Sequence, residues 1–470
     1  MGLSAISSFR SPPPERALTS VEGRATGLYR GSALSVNLML ASTSPPGGRV
    51  LPTFVGMSRS SAVGSIWAAI LPSVAVMKCA LLRRGAAAAV AIGLLLTGPA
   101  VQAESKPVTV ALPRPTGPSE IGTVALHLRD GSRADPWIKA HARRELMISL
   151  WYPTRRPDGH PAAPWLPPRA AEAFYRNSGL SPAAVSLPST HGREGARVAG
   201  RGLPVVLFSP GNGADRSMNT TTVEELASWG YMVVTIDHPG DAGEVEFPDG
   251  TVTGHVLKPV PVSRLDEKAE EIKVRVADTR FVLDRLKELN KGQNPDAEGR
   301  KLPEGLRGAF DLGRVGMFGH SAGGATAAAT MLQDRRVKAV LNLDGPALGK
   351  VAAKGLARPY MLMEAEIFDK PIRGQKAFWS RLKGWRLHVK TKGVKHNSYT
   401  DLPLVYEQAA PVIGLSKEQL RAANGTLPAA RSVAVTRAYA MAFFDLHLRR
   451  RGDLLDRRSP RFPEVRMIAR

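Results

Sequence analysis

Val315-Gly316-Met317-Phe318-Gly319-His320-Ser321-Ala322-Gly323-Gly324 reads as a short apolar strand, an abrupt turn carrying one serine, and the opening of a helix. The small residues from Ala325 to Thr330 continue that helix and let it press close to a sheet. At the centre is G-x-S-x-G, the pattern of a nucleophile elbow. A serine there must take a strained backbone conformation. Gly319 and Gly323 leave room where any Cβ would clash, and His320 completes the elbow. Five residues alone specify little, so the pattern counts only with its strand and helix, and both are present.

Outward from the elbow the same alternation recurs. Pro204 to Phe208, Tyr231 to Ile236, Val337 to Leu343, Pro359 to Met363 and Arg386 to Val389 are short apolar runs. Helical patterns fall at Thr221 to Trp229, Leu265 to Leu289 and Ser432 to Leu448. Unalternated apolar strands separated by helices imply a mostly parallel sheet covered on both faces. Ile121 to Leu128 and Leu146 to Tyr152 alternate and precede it as strands. The expected fold is the α/β-hydrolase fold, one domain over residues 104 to 470. Insertions near 155–200 and 401–430 are expected to act as covering loops, with a short helix near Ala170 to Tyr175.

In such sheets reactive groups gather beyond the carboxyl ends of the strands. Ser209 to Gly213, Asp237, Ser321 and Asp344 all fall there. A serine nucleophile needs a base, and the base an orienting acid, in the chain order Ser, acid, His. Asp344 is the first acid at a later strand end, with Glu364 and Glu366 as rivals. Of the later histidines, His388 lies inside a strand and His447 in the last helix, whereas His396 sits in a loop just after a strand. The oxyanion hole needs two backbone N–H groups. Ala322 supplies one, and Asn212, with Gly213 next, supplies the other from Gly211-Asn212-Gly213.

The amino-terminal region has a different character. Residues 1 to 76 are rich in Ser, Pro, Gly and Ala without a sustained period, and read as an over-extended start or a disordered extension. From Met77 a basic segment, an apolar run (Ala86 to Leu96) and Val101-Gln102-Ala103 follow in the order of a signal peptide. An exported, periplasmic or secreted protein is therefore expected. The single cysteine, Cys79, falls within that segment, so a chain cleaved after Ala103 has no disulfide and no thiolate nucleophile or ligand. No metal site and no cofactor are expected.

The full chain carries a formal net charge of +23. Such a balance favours anionic surfaces, membrane headgroups among them. No nucleic-acid motif accompanies it, and a solvated basic surface accounts for it as well.

Several stretches together resemble the platelet-activating-factor acetylhydrolase (isoform II) family, whose bacterial members are often labelled dienelactone-hydrolase-like. They are Phe208 to Gly213, Gly319 to Gly324, Leu343-Asp344-Gly345, His396 to Asp401, and Arg144-Glu145-Leu146 leading to Trp151-Tyr152-Pro153. The resemblance spans roughly residues 118 to 448. It implies Ser321 as nucleophile, Asp344 as acid, His396 as base, and the Asn212 and Ala322 amides as oxyanion hole. Pro210 stands where the family often has His. A true dienelactone hydrolase uses cysteine, so Ser321 argues against that activity.

The function expected is an exported serine esterase working through an acyl-enzyme on short or medium acyl esters, with small-molecule or lipid substrates, phospholipids included. A silent lipid- or envelope-binding protein of the same fold, or an amidase or polyesterase, are the alternatives.

Overall fold

The computed structural model describes residues 106–155, 157–258, 267–366 and 375–470. The chain divides into Met1–Arg59 and Ser60–Arg470, and everything below belongs to the second unit. The extension 1–76 and the signal segment 77–103 lie outside the described residues.

Among the described residues eleven strands form one sheet. In chain order they are β1 (Glu120–Asp130), β2 (Arg144–Thr154), β3 (Ala162–Pro164), β4 (Ser189–Glu194), β5 (Leu203–Ser209), β6 (Met232–Ile236), β7 (Phe310–His320), β8 (Val337–Leu343), β9 (Tyr360–Ala365), β10 (Arg386–Thr391) and β11 (Val465–Ala469). Their spatial order is β11-β10-β9-β8-β7-β5-β6-β2-β1-β4-β3. The six strands from β10 to β6 run parallel. β11 at one end, and β2 against β6 and β1 at the other, are antiparallel. The sheet is thus mostly parallel, as the apolar runs required.

The helices are α1 (Pro168–Ser178), α2 (Thr220–Ser228), α3 (Ala269–Lys291), α4 (Ala322–Gln333), α5 (Gly349–Lys354), α6 (Gln375–Ser380), α7 (Leu402–Ile413), α8 (Lys417–Asn424) and α9 (Ala429–Phe444). Successive side chains of a strand point to opposite faces, and β5 divides accordingly. Val205 and Leu207 join a core with Val276, Leu283, Ala325 and Phe378, from α3, α4 and α6. Val206 and Phe208 join a second core with Leu226, Val435 and Phe443, from α2 and α9. Phe208 and Phe318 meet across neighbouring strands with ring centroids 4.8 Å apart. Each such fully buried side chain contributes about 1.5–3 kcal/mol. Both faces are covered because every central strand is apolar on both.

Three expectations need correction. The stretch 155–200 is more than a covering loop, since β3 and β4 extend the sheet and Phe174 of α1 meets Trp165, just after β3, with ring centroids 5.5 Å apart. β4 reads Ser-Thr-His-Gly-Arg-Glu and carries no apolar signal. It forms because Gly192 lets Trp151 lie over it: a Cβ there would stand 2.7 Å from the indole. Its His191 also binds Glu224 of α2 at 2.8 Å. The insertion 401–430 is largely helical, as α7 and α8. The closing helix ends at Phe444, and a π-helical turn, Asp445–Arg449, takes over. β11 has no counterpart in the sequence reading.

Candidate active site

β7 ends at His320, and Ser321 is the first residue beyond it, at φ 56° and ψ −120°, before α4 begins. Such a φ is costly for a non-glycine residue and persists only where the surroundings impose it. Here they do. A Cβ on Gly319 would lie 2.2 Å from the Gly323 carbonyl carbon, and one on Gly323 would lie 1.8 Å from the Ser209 oxygen. The small helix face and the tight crossing read from the motif are both present. The Ser321 amide donates to Leu343 O at 2.9 Å, which ties the elbow to the end of β8.

Asp344 follows directly on β8, also with φ 56°, and is buried. Asn342 clamps this turn by accepting from Gly345 N (2.7 Å) and donating to Gly345 O (2.9 Å). One Asp344 oxygen accepts from Ala365 N at 2.8 Å, and the other accepts from His396 Nδ1 at 2.6 Å. The carboxylate accepts, so Nδ1 carries the proton and Nε2 is left as the acceptor nitrogen of the ring.

His396 opens a 3-10 turn, His396–Tyr399, beyond β10. Its side chain is 35% exposed. Ser432 Oγ donates to Ser398 O (2.6 Å) and Asn219 Nδ2 to Tyr399 O (2.7 Å), so α9 and the start of α2 hold the turn. The rival acids are engaged elsewhere. Glu364 binds His388 Nε2 at 2.5 Å, and Glu366 accepts from Gly393 N at 2.9 Å. His388 is a sheet residue, and His447 packs with its ring centroid 4.4 Å from that of Trp385.

The loop after β5 lies against the elbow. A Cβ on Gly211 would stand 3.1 Å from His320 Nδ1 and 3.5 Å from the Ser321 Cβ. The Gly213 amide donates to Asp241 O at 3.0 Å, which removes the second-choice oxyanion donor. Among the described residues none accepts from the Asn212 amide. Ala322 is the first residue of α4, so its amide has no partner within the helix. His320 is buried, with its ring centroid 4.5 Å from that of His396, and its Nε2 donates to His396 O at 2.9 Å. Burial pulls the His320 pKa well below 6.5, and the neighbouring His396 adds to this.

Beneath this loop is a charged network that the sequence reading missed. Ser209 Oγ donates to His238 Nε2 at 2.9 Å, and His238 Nδ1 donates to Asp278 at 3.0 Å. Asp278 also binds Arg144 at 2.8 Å. Arg275 binds Asp241 at 2.6 Å. All these side chains are buried. Burial lowers the His238 pKa to about 4. Burial alone would raise Asp278 and Asp241. Arg144 nevertheless holds Asp278 far below the carboxylate range, and Arg275 holds Asp241 at about 2. A sequence signal did exist. Arg275 and Asp278 fall on the same buried stripe of α3 as Ile272, Val276, Val282 and Leu283.

Among the described residues no cluster of His, Cys, Asp or Glu is arranged to hold a metal ion. A cavity of about 450 Å³ lies near the far ends of β7 and β8, lined by Arg314, Lys338 and His447 to Arg450, away from Ser321.

Residues 105–454 match the family described as platelet-activating factor acetylhydrolase, isoform II. The chain belongs to this family. A protein of Arthroderma benhamiae, named probable 1-alkyl-2-acetylglycerophosphocholine esterase, is 28% identical over 394 residues, covering 77% of this chain and 95% of that one. The platelet-activating factor acetylhydrolase of Cavia porcellus is 23% identical over 62% of this chain and 69% of its own length. Among solved structures, the ferulic acid esterase from Streptomyces cinnamoneus aligns with a TM-score of 0.64 at 36% identity. That alignment covers 77% of this chain and 99% of the esterase. The family resemblance and the α/β-hydrolase fold are both borne out, and the chain is a carboxylic ester hydrolase.

Proposed function

We propose that this family member is an exported serine esterase that cleaves short-acyl esters of phospholipid-like substrates through an acyl-enzyme. The 2.6 Å bond between Asp344 and His396 beside the strained Ser321 elbow carries this reading. His396 Nε2 takes the Ser321 proton as Oγ attacks the ester carbonyl. Asp344 steadies the imidazolium, and the Asn212 and Ala322 amides hold the oxyanion. Collapse of the tetrahedral intermediate breaks the C–O bond, and His396 returns its proton to the leaving alcohol. Water, deprotonated by His396, then attacks the acyl-enzyme and regenerates Ser321.

The names of two relatives, a probable 1-alkyl-2-acetylglycerophosphocholine esterase and a platelet-activating factor acetylhydrolase, support this substrate class. The 36% identity to a ferulic acid esterase favours a second reading, hydrolysis of hydroxycinnamate esters. Turnover of a 2-acetyl ether phospholipid, its 2-palmitoyl counterpart and methyl ferulate discriminates between them. Preference for the acetyl lipid is expected, and faster cleavage of methyl ferulate would establish the second reading. Sequencing the amino terminus of protein recovered outside the cytoplasm tests export, with a start just after Ala103 expected.

A further inference from the structure

We propose that Arg275, acting with Asp241, is a positioning residue that aims and polarises the Asn212 oxyanion amide. This rests on the serine esterase reading above. Arg275 comes from the second turn of α3, and its side chain is fully buried. Its guanidinium reaches into the loop after β5. Nη1 donates to Pro210 O at 2.6 Å, and Nη2 donates to Gly211 O at 3.0 Å. Nε and Nη2 also bind the two Asp241 oxygens at 2.6 and 2.7 Å. Asp241 in turn accepts from Asn212 Nδ2 at 2.7 Å and, through its backbone carbonyl, from Gly213 N at 3.0 Å. Four successive residues, 210 to 213, are therefore fixed by one buried ion pair.

Peptide geometry turns this grip into an aim. The Gly211 carbonyl and the Asn212 N–H belong to one planar trans peptide and point in opposite directions. Holding the carbonyl oxygen on the α3 side turns the amide hydrogen away from α3. The same holds for the Pro210 carbonyl and the Gly211 N–H. A cationic donor on the carbonyl also withdraws electron density from the peptide unit, which makes its N–H a stronger donor. An oxyanion hole works by being oriented before charge develops. A flexible loop containing two glycines is not oriented by itself, and Arg275 with Asp241 supplies the rigidity. Lysine cannot replace this arginine, because one ammonium with three donors cannot span two carbonyls and both carboxylate oxygens.

The test compares Arg275→Lys with wild type in kcat, KM, melting temperature and inhibition by a trifluoromethyl ketone, whose hemiketal adduct, formed as Ser321 Oγ adds to the carbonyl and His396 takes the proton, places an oxyanion in the hole. The expected result is a fall in kcat of about 10- to 100-fold, a KM within about threefold, and an equal loss of inhibitor affinity. A folded Arg275→Lys with wild-type kcat and inhibitor affinity would overturn the proposal. If that variant does not fold, Asn212→Ala decides, because it keeps the backbone amide and cuts the side-chain tether to Asp241, together with a 3.1 Å contact to His255 Nε2. A parallel loss of kcat and inhibitor affinity of about 3- to 10-fold is expected there, and wild-type values overturn the proposal. Ser321→Ala separates the two claims. Retained turnover in Ser321→Ala refutes the serine mechanism, whereas an inactive Ser321→Ala beside a fully active Arg275→Lys refutes only the role of Arg275.

Discussion

Among the described residues two Ser–His–Asp sets invite comparison. One is the proposed catalytic set, Ser321, His396 and Asp344, and the other is Ser209, His238 and Asp278. In the second, the serine donates to Nε2 at 2.9 Å and Nδ1 donates to the carboxylate at 3.0 Å, the connectivity expected of a catalytic triad. Yet it has no route to a substrate, because all three residues are fully buried. Ser209 also remains in strand register, opposite Gly319. Ser321 is turned out of its strand at φ 56°, and His396 is 35% exposed. Triad-like hydrogen-bond connectivity therefore does not by itself give an array access to a substrate. Backbone placement and exposure set the proposed catalytic array apart from the buried one. The buried array anchors β5 and the loop after β6 to α3, close to the proposed oxyanion loop.

Four substitutions would break or sharpen that contrast. The largest effect is expected from Ser321→Ala. It should lower kcat by at least about 10⁴-fold and abolish covalent labelling by a fluorophosphonate. Ser209→Ala should keep full labelling stoichiometry, measured by intact-mass spectrometry, so a dead but folded Ser209→Ala would erase the distinction.

Next in size is Asp278→Asn, which takes from buried Arg144 one of its two carboxylate partners and leaves it Asp135 at 3.1 Å. Breaking a buried pair costs about 3–5 kcal/mol, readable by urea denaturation. The remaining folded fraction should still label at Ser321.

The smallest effect concerns pH. His238 titrates near 4 when folded and near 6.5 when unfolded, because burial disfavours its charged form. The unfolded chain therefore binds the extra proton between those values. Stability contributed by neutral His238 is complete above pH 6.5 and declines as pH falls toward 4. His238→Asn should flatten this part of the stability-versus-pH curve, and an unchanged slope would place the titration elsewhere.

How far the sequence carried varies between these same parts. The parallel strands were legible because strands covered on both faces are apolar throughout, and the elbow because its glycines answer a local steric demand. Asp344 and His396 were legible as residues at strand ends. Their joining, at the expense of Glu364 and Glu366, depended on where β9 and β10 end in space. The buried array was hidden because Arg275 and Asp278 look like the ordinary charges of a helix. Only their position on an apolar stripe betrays them. β4 was hidden because pairing and the Trp151 contact make it a strand, not its composition. β11, Val-Arg-Met-Ile-Ala, is short and follows an arginine-rich loop, so no strand period could be separated from its surroundings.

The two outermost strands bear on solubility. A free strand edge is a template for pairing with another molecule. At one side the sheet ends in β3, three residues long and closed by Pro164, which cannot donate to an incoming strand. At the other side β11 covers the edge of β10 and carries Arg466, paired with Glu366, in its place. Removing residues 465–470 would expose β10 to intermolecular pairing. A shortened chain would be expected to form aggregates at concentrations where the full chain stays monodisperse.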